Sequence, residues 1–272
     1  MKKNDPKASV HFSTGFVKFF ILFLIYCHSG GVLAFDKQRE HQYAKAIEKK
    51  AKTGSAIYLN SLNHKFLALY QETESLKNLG TVILLHDKGQ HPDQEYLFKK
   101  LRTSLPQHNW ATLALQMPLR EMGAESDQYY TLFTEAKQRI QAGIDFLKTK
   151  NINNIILLGY GLGGLMALSA ASEQNSSVTA LVTISLLVPK TDHPLAQTLA
   201  YLNNSSIPLL DIYGSKDINA VSQSARQRRI AAKENQGYRQ LQIEDANRSF
   251  RNYQDLVVKR VYSWLSQTNK IR

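Results

Sequence analysis

Cysteine is almost missing from this chain of 272 residues: Cys27 is its single thiol. One cysteine near the N-terminus excludes an internal disulfide, and it leaves the remainder of the chain without a cysteine nucleophile or a thiolate metal site. Long apolar runs are missing too. A membrane-spanning helix needs about 20 consecutive apolar residues, whereas the run from Phe19 to Cys27 gives way to His28, Ser29, Gly30 and Gly31. Histidine gives out early, since His193 is the last in the chain, so nothing C-terminal to it can supply an imidazole base. Proline and glycine number only 7 and 14, against 43% hydrophobic residues, which argues against a disordered or low-complexity chain.

What is present begins with an N-terminal leader pattern. Lys2, Lys3, Lys7 and Lys18 precede the apolar run, and Val32-Leu33-Ala34 offers small residues where a signal peptidase would cut. The expectation is a signal peptide over residues 1–34, followed by a single domain over residues 35–272, in the periplasm or secreted. The alternative is an uncleaved N-terminal membrane anchor. Tyr26 before Cys27 argues against a lipoprotein, which wants a small residue there. Removing Lys2, Lys3, Lys7, Lys18 and Asp5 leaves 30 basic and 21 acidic residues, a formal +9. Such a balance favours an anionic surface such as phospholipid headgroups, whereas nucleic acid is not an expected partner of an exported protein.

Residues 36–52 have high helix propensity, with Gly54 as the stop. Ala56–Leu59 and Phe66–Tyr70 flank the turn-like Asn60-Ser61-Leu62-Asn63 and predict an antiparallel edge hairpin. After Gly80, short β-rich runs recur at Val82–Leu85, Trp110–Leu115, Ile155–Leu158, Leu181–Ile184, Leu209–Tyr213 and Leu241–Ile243. The segments between them are long enough for crossover helices. Tyr129, Leu132, Phe133, Ala136, Ile140, Ile144 and Leu147 keep helical period, as do Tyr253, Val257, Val261 and Trp264. The pattern predicts an α/β fold, a mostly parallel central sheet covered by helices on both faces. Between Ile184 and Leu209 there is room for one helix, around Leu195–Leu202, and so no large lid.

The informative motif is Gly159-Tyr160-Gly161-Leu162-Gly163-Gly164, directly after a strand. Its frame matches G-x-S-x-G, the strand-to-helix elbow that raises a serine nucleophile, with Gly161 in place of the serine. Together with Val82–Leu85 ending in His86-Asp87-Lys88-Gly89, and Leu209–Gly214 followed by Ser215-Lys216-Asp217, it resembles the α/β-hydrolase superfamily over about residues 55–267. LLHDKGQHPD, WATLALQMP and ANRSF before a terminal amphipathic helix resemble, more narrowly, secreted bacterial hydrolase-like proteins grouped as a domain of unknown function. The resemblance implies the fold and export, and no known substrate.

In a working member a serine loses its proton to a histidine held by an acid, in the chain order Ser, Asp or Glu, His. Asp217 stands at the acid position and Arg248 where the histidine belongs. Arginine stays protonated and cannot act as a base. A degenerate triad of Gly161, Asp217 and Arg248 points away from serine-hydrolase catalysis, and an Asp217–Arg248 ion pair is an alternative to Asp217 as a helix cap or a solvated loop acid. Backbone donors of an oxyanion hole survive at Leu162 and in the His86-Asp87-Lys88 loop, although Asp87 replaces the expected glycine. The residues that would line a ligand site are therefore His86, Asp87, Lys88, Tyr160 and Leu162.

Three other readings are weaker. Gly159, Gly161 and Gly164 also satisfy G-x-G-x-x-G, but the following strand Leu181–Ser185 ends without the acid that a dinucleotide's ribose requires. His86, His91 and Asp93 match no defined metal spacing. Arg226, Arg228, Arg229 and Lys233 suit the solvated face of a surface helix, or an anionic surface. The expected protein needs no cofactor, metal or dinucleotide and binds a small molecule or an envelope component. Its alternative is an atypical esterase or peptidase using Ser185, Ser215 or Ser249, with His86 as the base nearest to plausible.

Overall fold

The computed structural model describes residues 35–50, 53–62, 64–172 and 177–270. The leader expected over residues 1–34 lies outside them. From Phe35 onward the chain forms one compact unit. Helix α1 (Lys37–Lys50) leads into strands β1 (Ser55–Ser61), β2 (His64–Gln71) and β3 (Gly80–Leu85), then α2 (Leu97–Ser104) and β4 (Trp110–Leu115). Next come α3 (Ser126–Tyr130), α4 (Phe133–Thr149), β5 (Ile155–Tyr160), α5 (Leu162–Ala171) and β6 (Val178–Ile184). The chain continues through α6 (Thr198–Asn204), β7 (Leu209–Lys216), α7 (Asn219–Ser222), α8 (Ala225–Ala231), β8 (Tyr238–Asn247) and α9 (Gln254–Lys270).

The eight strands lie in the order β1-β2-β4-β3-β5-β6-β7-β8. β1 and β2 form the expected antiparallel hairpin, and β2 also runs antiparallel to β4. All the other pairings are parallel. The sheet is therefore mostly parallel, as the alternation of buried runs with helical segments predicts.

Every residue of β3, β4 and β5 is buried, which explains why these strands read as unbroken apolar runs. Their side chains alternate between two cores. Ile83, Leu85, Leu113, Leu115 and Leu157 join α4 and α5 through residues such as Phe133, Ile140 and Leu165. Val82, Leu84, Ala114, Ile156 and Leu158 face α1, α2 and α9 through Ile47, Phe98 and Val261. A period of two in the strands thus meets a period of 3.6 in the helices on both faces.

The segment between β6 and β7 carries only the short α6, with no large lid. Among the described residues no helix is long and apolar enough to cross a membrane. The parallel strands point their C-terminal ends to one rim, where the loops after β3, β5, β7 and β8 meet.

Candidate functional site

The elbow sits where β5 hands over to α5. Gly161 has φ 57° and ψ −120°, a backbone region that disfavours any side chain. The glycines around it permit close approach: a Cβ on Gly163 would lie 2.3 Å from the Leu85 carbonyl oxygen. This packs α5 against the end of β3 and presents the Leu162 N–H to the loop that follows that strand. The glycine spacing is thus accounted for by the turn itself.

The space a nucleophile would fill is occupied. A Cβ on Gly161 would lie 2.3 Å from Cγ and Oδ1 of Asp87 and 2.4 Å from an Nη2 of Arg248. Asp87 Oδ1 accepts hydrogen bonds from the Leu162 N–H and the Lys88 N–H, both at 2.8 Å. Its Oδ2 accepts from Arg248 Nη2 at 2.5 Å. A carboxylate of the chain itself therefore sits on the two backbone amides that resemble an oxyanion hole, with a guanidinium behind it.

Asp217 is the more distant partner, its Oδ1 3.7 Å from Arg248 Nη1. Its carboxylate instead accepts from the Ser185 hydroxyl at 2.5 Å and from the Ile218 N–H at 2.8 Å. The ion pair of Arg248 is thus made first with Asp87. Burial works against the charge of Arg248, but the Asp87 carboxylate, together with Tyr160 and Asp217, raises the guanidinium above its ordinary pKa. The Tyr160 hydroxyl donates to the Arg248 carbonyl oxygen, fixing the loop after β8. Burial raises the Tyr160 phenol well above its usual value, so it stays a neutral donor.

His86 does not face the elbow as a base. Its Nδ1–H donates to the Asp87 carbonyl oxygen at 2.8 Å, while Nε2 accepts from the Met117 N–H at 2.9 Å and from Gln116 Nε2 at 3.1 Å. Complete burial pushes its pKa down to about 3, so the ring is neutral and serves to tie the end of β3 to the segment after β4. Lys88 turns away, its Nζ donating to Ser126 Oγ at 2.9 Å. The Asp93 carboxylate is bound to Arg102 at 2.5 Å and Lys99 at 3.4 Å, and the Asp93 N–H donates to His91 Nδ1 at 3.3 Å. Among the described residues no three His, Cys, Asp or Glu side chains converge as a metal site.

Ser215 and Ser249 are engaged elsewhere: Ser215 Oγ accepts from the Asp245 N–H at 2.8 Å, across from β7 to β8, and Ser249 Oγ donates to Asn247 Oδ1 at 2.7 Å in a local turn. Helix α1 reaches the same rim. Arg39 Nη2 and the Tyr43 hydroxyl both donate to the Gly89 carbonyl oxygen, at 2.9 and 3.2 Å, and hold the loop after β3 in place. No motif marks this role of Arg39 and Tyr43, because a helix N-terminal to the sheet carries no pattern tying it to the elbow.

A family model described as "Protein of unknown function (DUF3530)" matches residues 34–135 and 124–267. The chain belongs to the DUF3530 family. Solved structures similar to this DUF3530 chain include Est1E from Butyrivibrio proteoclasticus, 17% identical with a TM-score of 0.63, covering 79% of this chain and 99% of that one. The Pyrococcus furiosus esterase Pf2001 is 17% identical with a TM-score of 0.65, covering 81% and 93%. An alpha-beta serine hydrolase homologue from Coxiella burnetii is 14% identical with a TM-score of 0.60, covering 78% and 98%. At these identities the likeness is one of fold, and the fold is that of the α/β-hydrolases. No curated protein matches the chain in sequence.

Proposed function

We propose that this DUF3530 protein is an exported, non-hydrolytic member of the α/β-hydrolase fold, acting as a ligand-binding or envelope-associated accessory protein. The observation that carries this reading is the filled elbow: Gly161 lacks a nucleophile, and Asp87 with Arg248 stands within 2.4 Å of where its side chain would begin. A serine hydrolase needs that space for a hydroxyl and needs the amides free for developing negative charge. Here the amides of Leu162 and Lys88 already serve a carboxylate.

One observation favours the other reading, an ester or peptide hydrolase with a displaced nucleophile. Ser185 has φ 53° at the end of β6 and donates to Asp217 at 2.5 Å. Against it, Ser185 is fully buried, and its nearest cationic neighbour through Asp217 is Arg248, which holds its proton.

Intact-mass spectrometry of the purified mature protein, before and after a fluorophosphonate probe, tests both halves of the proposal. The expected result is a chain beginning at Phe35 with no stoichiometric adduct. An adduct on Ser185, abolished by Ser185→Ala, would overturn the non-hydrolytic reading, and a chain retaining Met1 in a membrane fraction would overturn export with cleavage.

A further inference from the structure

We propose that the elbow is a carboxylate receptor already filled by the protein's own Asp87, and that the ligand it takes is a small organic carboxylate that exchanges with this side chain. This deepens the binding reading above by naming the chemical class of ligand.

The receptor has three donors from three separate segments. The Leu162 N–H opens α5, the Lys88 N–H lies in the loop after β3, and the Arg248 guanidinium comes from the loop after β8; all three converge on one carboxylate at 2.8, 2.8 and 2.5 Å. Two amides on one oxygen and a guanidinium on the other form a complete carboxylate-binding set. The missing side chain of Gly161 is a condition for it, since a Cβ there would overlap both the carboxylate and the guanidinium. Loss of a nucleophile and gain of an anion site are thus one change in the space above the elbow.

The site is reachable. The Arg248 side chain is 25% exposed and that of Asp87 10%, unlike the fully enclosed ion pairs elsewhere in the molecule. Arg248 Nη1 is itself buried, makes no hydrogen bond and faces Asp217 at 3.7 Å, so the exposed part of the guanidinium is not this atom. Removing the Asp87 carboxylate would leave Arg248 and Asp217 balanced in charge while stranding three donors, a costly state that an incoming anion relieves.

Side-chain excision gives a size-coded test. Asp87→Ala removes the equivalent of formate, and Asp87→Gly removes the equivalent of acetate. Formate binding to Asp87→Ala and acetate binding to Asp87→Gly, followed by calorimetry and by thermal unfolding against chloride at equal ionic strength, are expected to be saturable. Wild type is expected to bind either anion at least tenfold more weakly, because a tethered carboxylate competes. Adding Arg248→Gln to Asp87→Ala should weaken formate at least tenfold.

Folded excision variants that respond to carboxylates no more than to chloride would overturn the proposal, as would a response equal to that of wild type. Should Asp87→Ala be recovered only unfolded, refolding in formate against chloride decides the matter: recovery in formate alone supports the receptor, and failure in both overturns it. None of these readouts depends on probe labelling, so a labelled Ser185 would refute the non-hydrolytic reading and leave this site standing.

Discussion

Two carboxylate–guanidinium pairs stand near the C-terminal strands of the sheet, built from the same groups and surrounded very differently. Arg228 on α8, expected from the sequence on a solvated helix face, is instead fully buried, because it joins the equally buried Asp211 on β7 at 2.8 Å. The same Asp211 oxygen accepts from the Tyr238 hydroxyl at 2.9 Å and Gln240 Nε2 at 3.0 Å, and Arg228 Nη1 donates to the Val221 carbonyl and the Ser224 hydroxyl, both at 2.7 Å. Asp87 and Arg248 are joined at 2.5 Å but remain partly exposed, and the other partners of the Asp87 carboxylate are backbone amides at the elbow. The first pair is closed by groups of the scaffold around it, the Tyr238, Gln240 and Ser224 side chains and the Val221 carbonyl, and is shut off from solvent. The second is closed by amides that in an α/β-hydrolase would face substrate. A buried pair of the first kind specifies packing; one of the second kind occupies a site.

The largest expected effect comes from breaking the scaffold pair. Arg228→Ala leaves the Asp211 carboxylate buried without its cation, and removal of one partner of a buried pair costs about 3–5 kcal/mol. Chemical denaturation should show a loss of that size or an unfolded product. A loss below about 1 kcal/mol would mean that Thr183, Tyr238 and Gln240 satisfy Asp211 without the guanidinium, and that the contrast between the two pairs is smaller than their burial indicates.

A middle-sized effect separates His86 from the site it borders. Its pKa falls from 6.5 to about 3 on folding because burial disfavours the imidazolium. The unfolded chain therefore binds a proton between these values that the native protein does not, and the stability from neutral His86 is present above pH 6.5 and lost as pH falls toward 3. Between pH 7 and pH 5 the loss is about 2 kcal/mol. The urea midpoint should fall over that interval, and His86→Gln should flatten the slope. An unchanged slope in that variant would place the acid sensitivity in other groups, such as His91, whose pKa burial also lowers.

Much of this arrangement is legible in the sequence, and the parts that are not have separate physical causes. β4 reads directly from Trp110–Leu115 because both of its faces are buried. β8 extends from Tyr238 to Asn247, well beyond the apolar Leu241–Ile243, because it is an edge strand whose exposed residues Arg239, Gln242 and Glu244 hide it from a hydrophobicity count. The period running from Tyr129 to Leu147 reads as one helix, yet the chain breaks into α3 and α4 around Thr131 and Leu132, and the break leaves the apolar stripe in place. At the elbow, local sequence identifies Gly161, Asp217 and Arg248 as positions. It cannot choose between Asp87 and Asp217 as the first partner of Arg248. That choice depends on how the loop after β3 folds back, with the Lys88 amide fixing Asp87 Oδ1.

The smallest expected effect is also the sharpest test of what fills the elbow. Gly161→Ser with Arg248→His restores the residue types Ser, His and Asp, yet turnover of a simple ester should stay within about tenfold of the uncatalysed rate, because hydrogen bonds to a developing oxyanion supply much of the acceleration in such enzymes. The new serine must push Asp87 aside, since even its Cβ would lie 2.3 Å from Asp87 Oδ1, and a carboxylate still tethered beside the Leu162 and Lys88 amides repels negative charge there. Adding Asp87→Gly removes that obstacle and frees both amides. Since one oxyanion donor is worth about 10²–10³ in rate, the triple variant should exceed the double by at least tenfold even with an unrefined surrounding shell. Equal rates for the two, read in a steady-state ester assay, would mean that Asp87 does not govern the hole. High activity in Gly161→Ser alone would mean that some other group supplies the base, and that Arg248 does not stand at the position of a lost histidine.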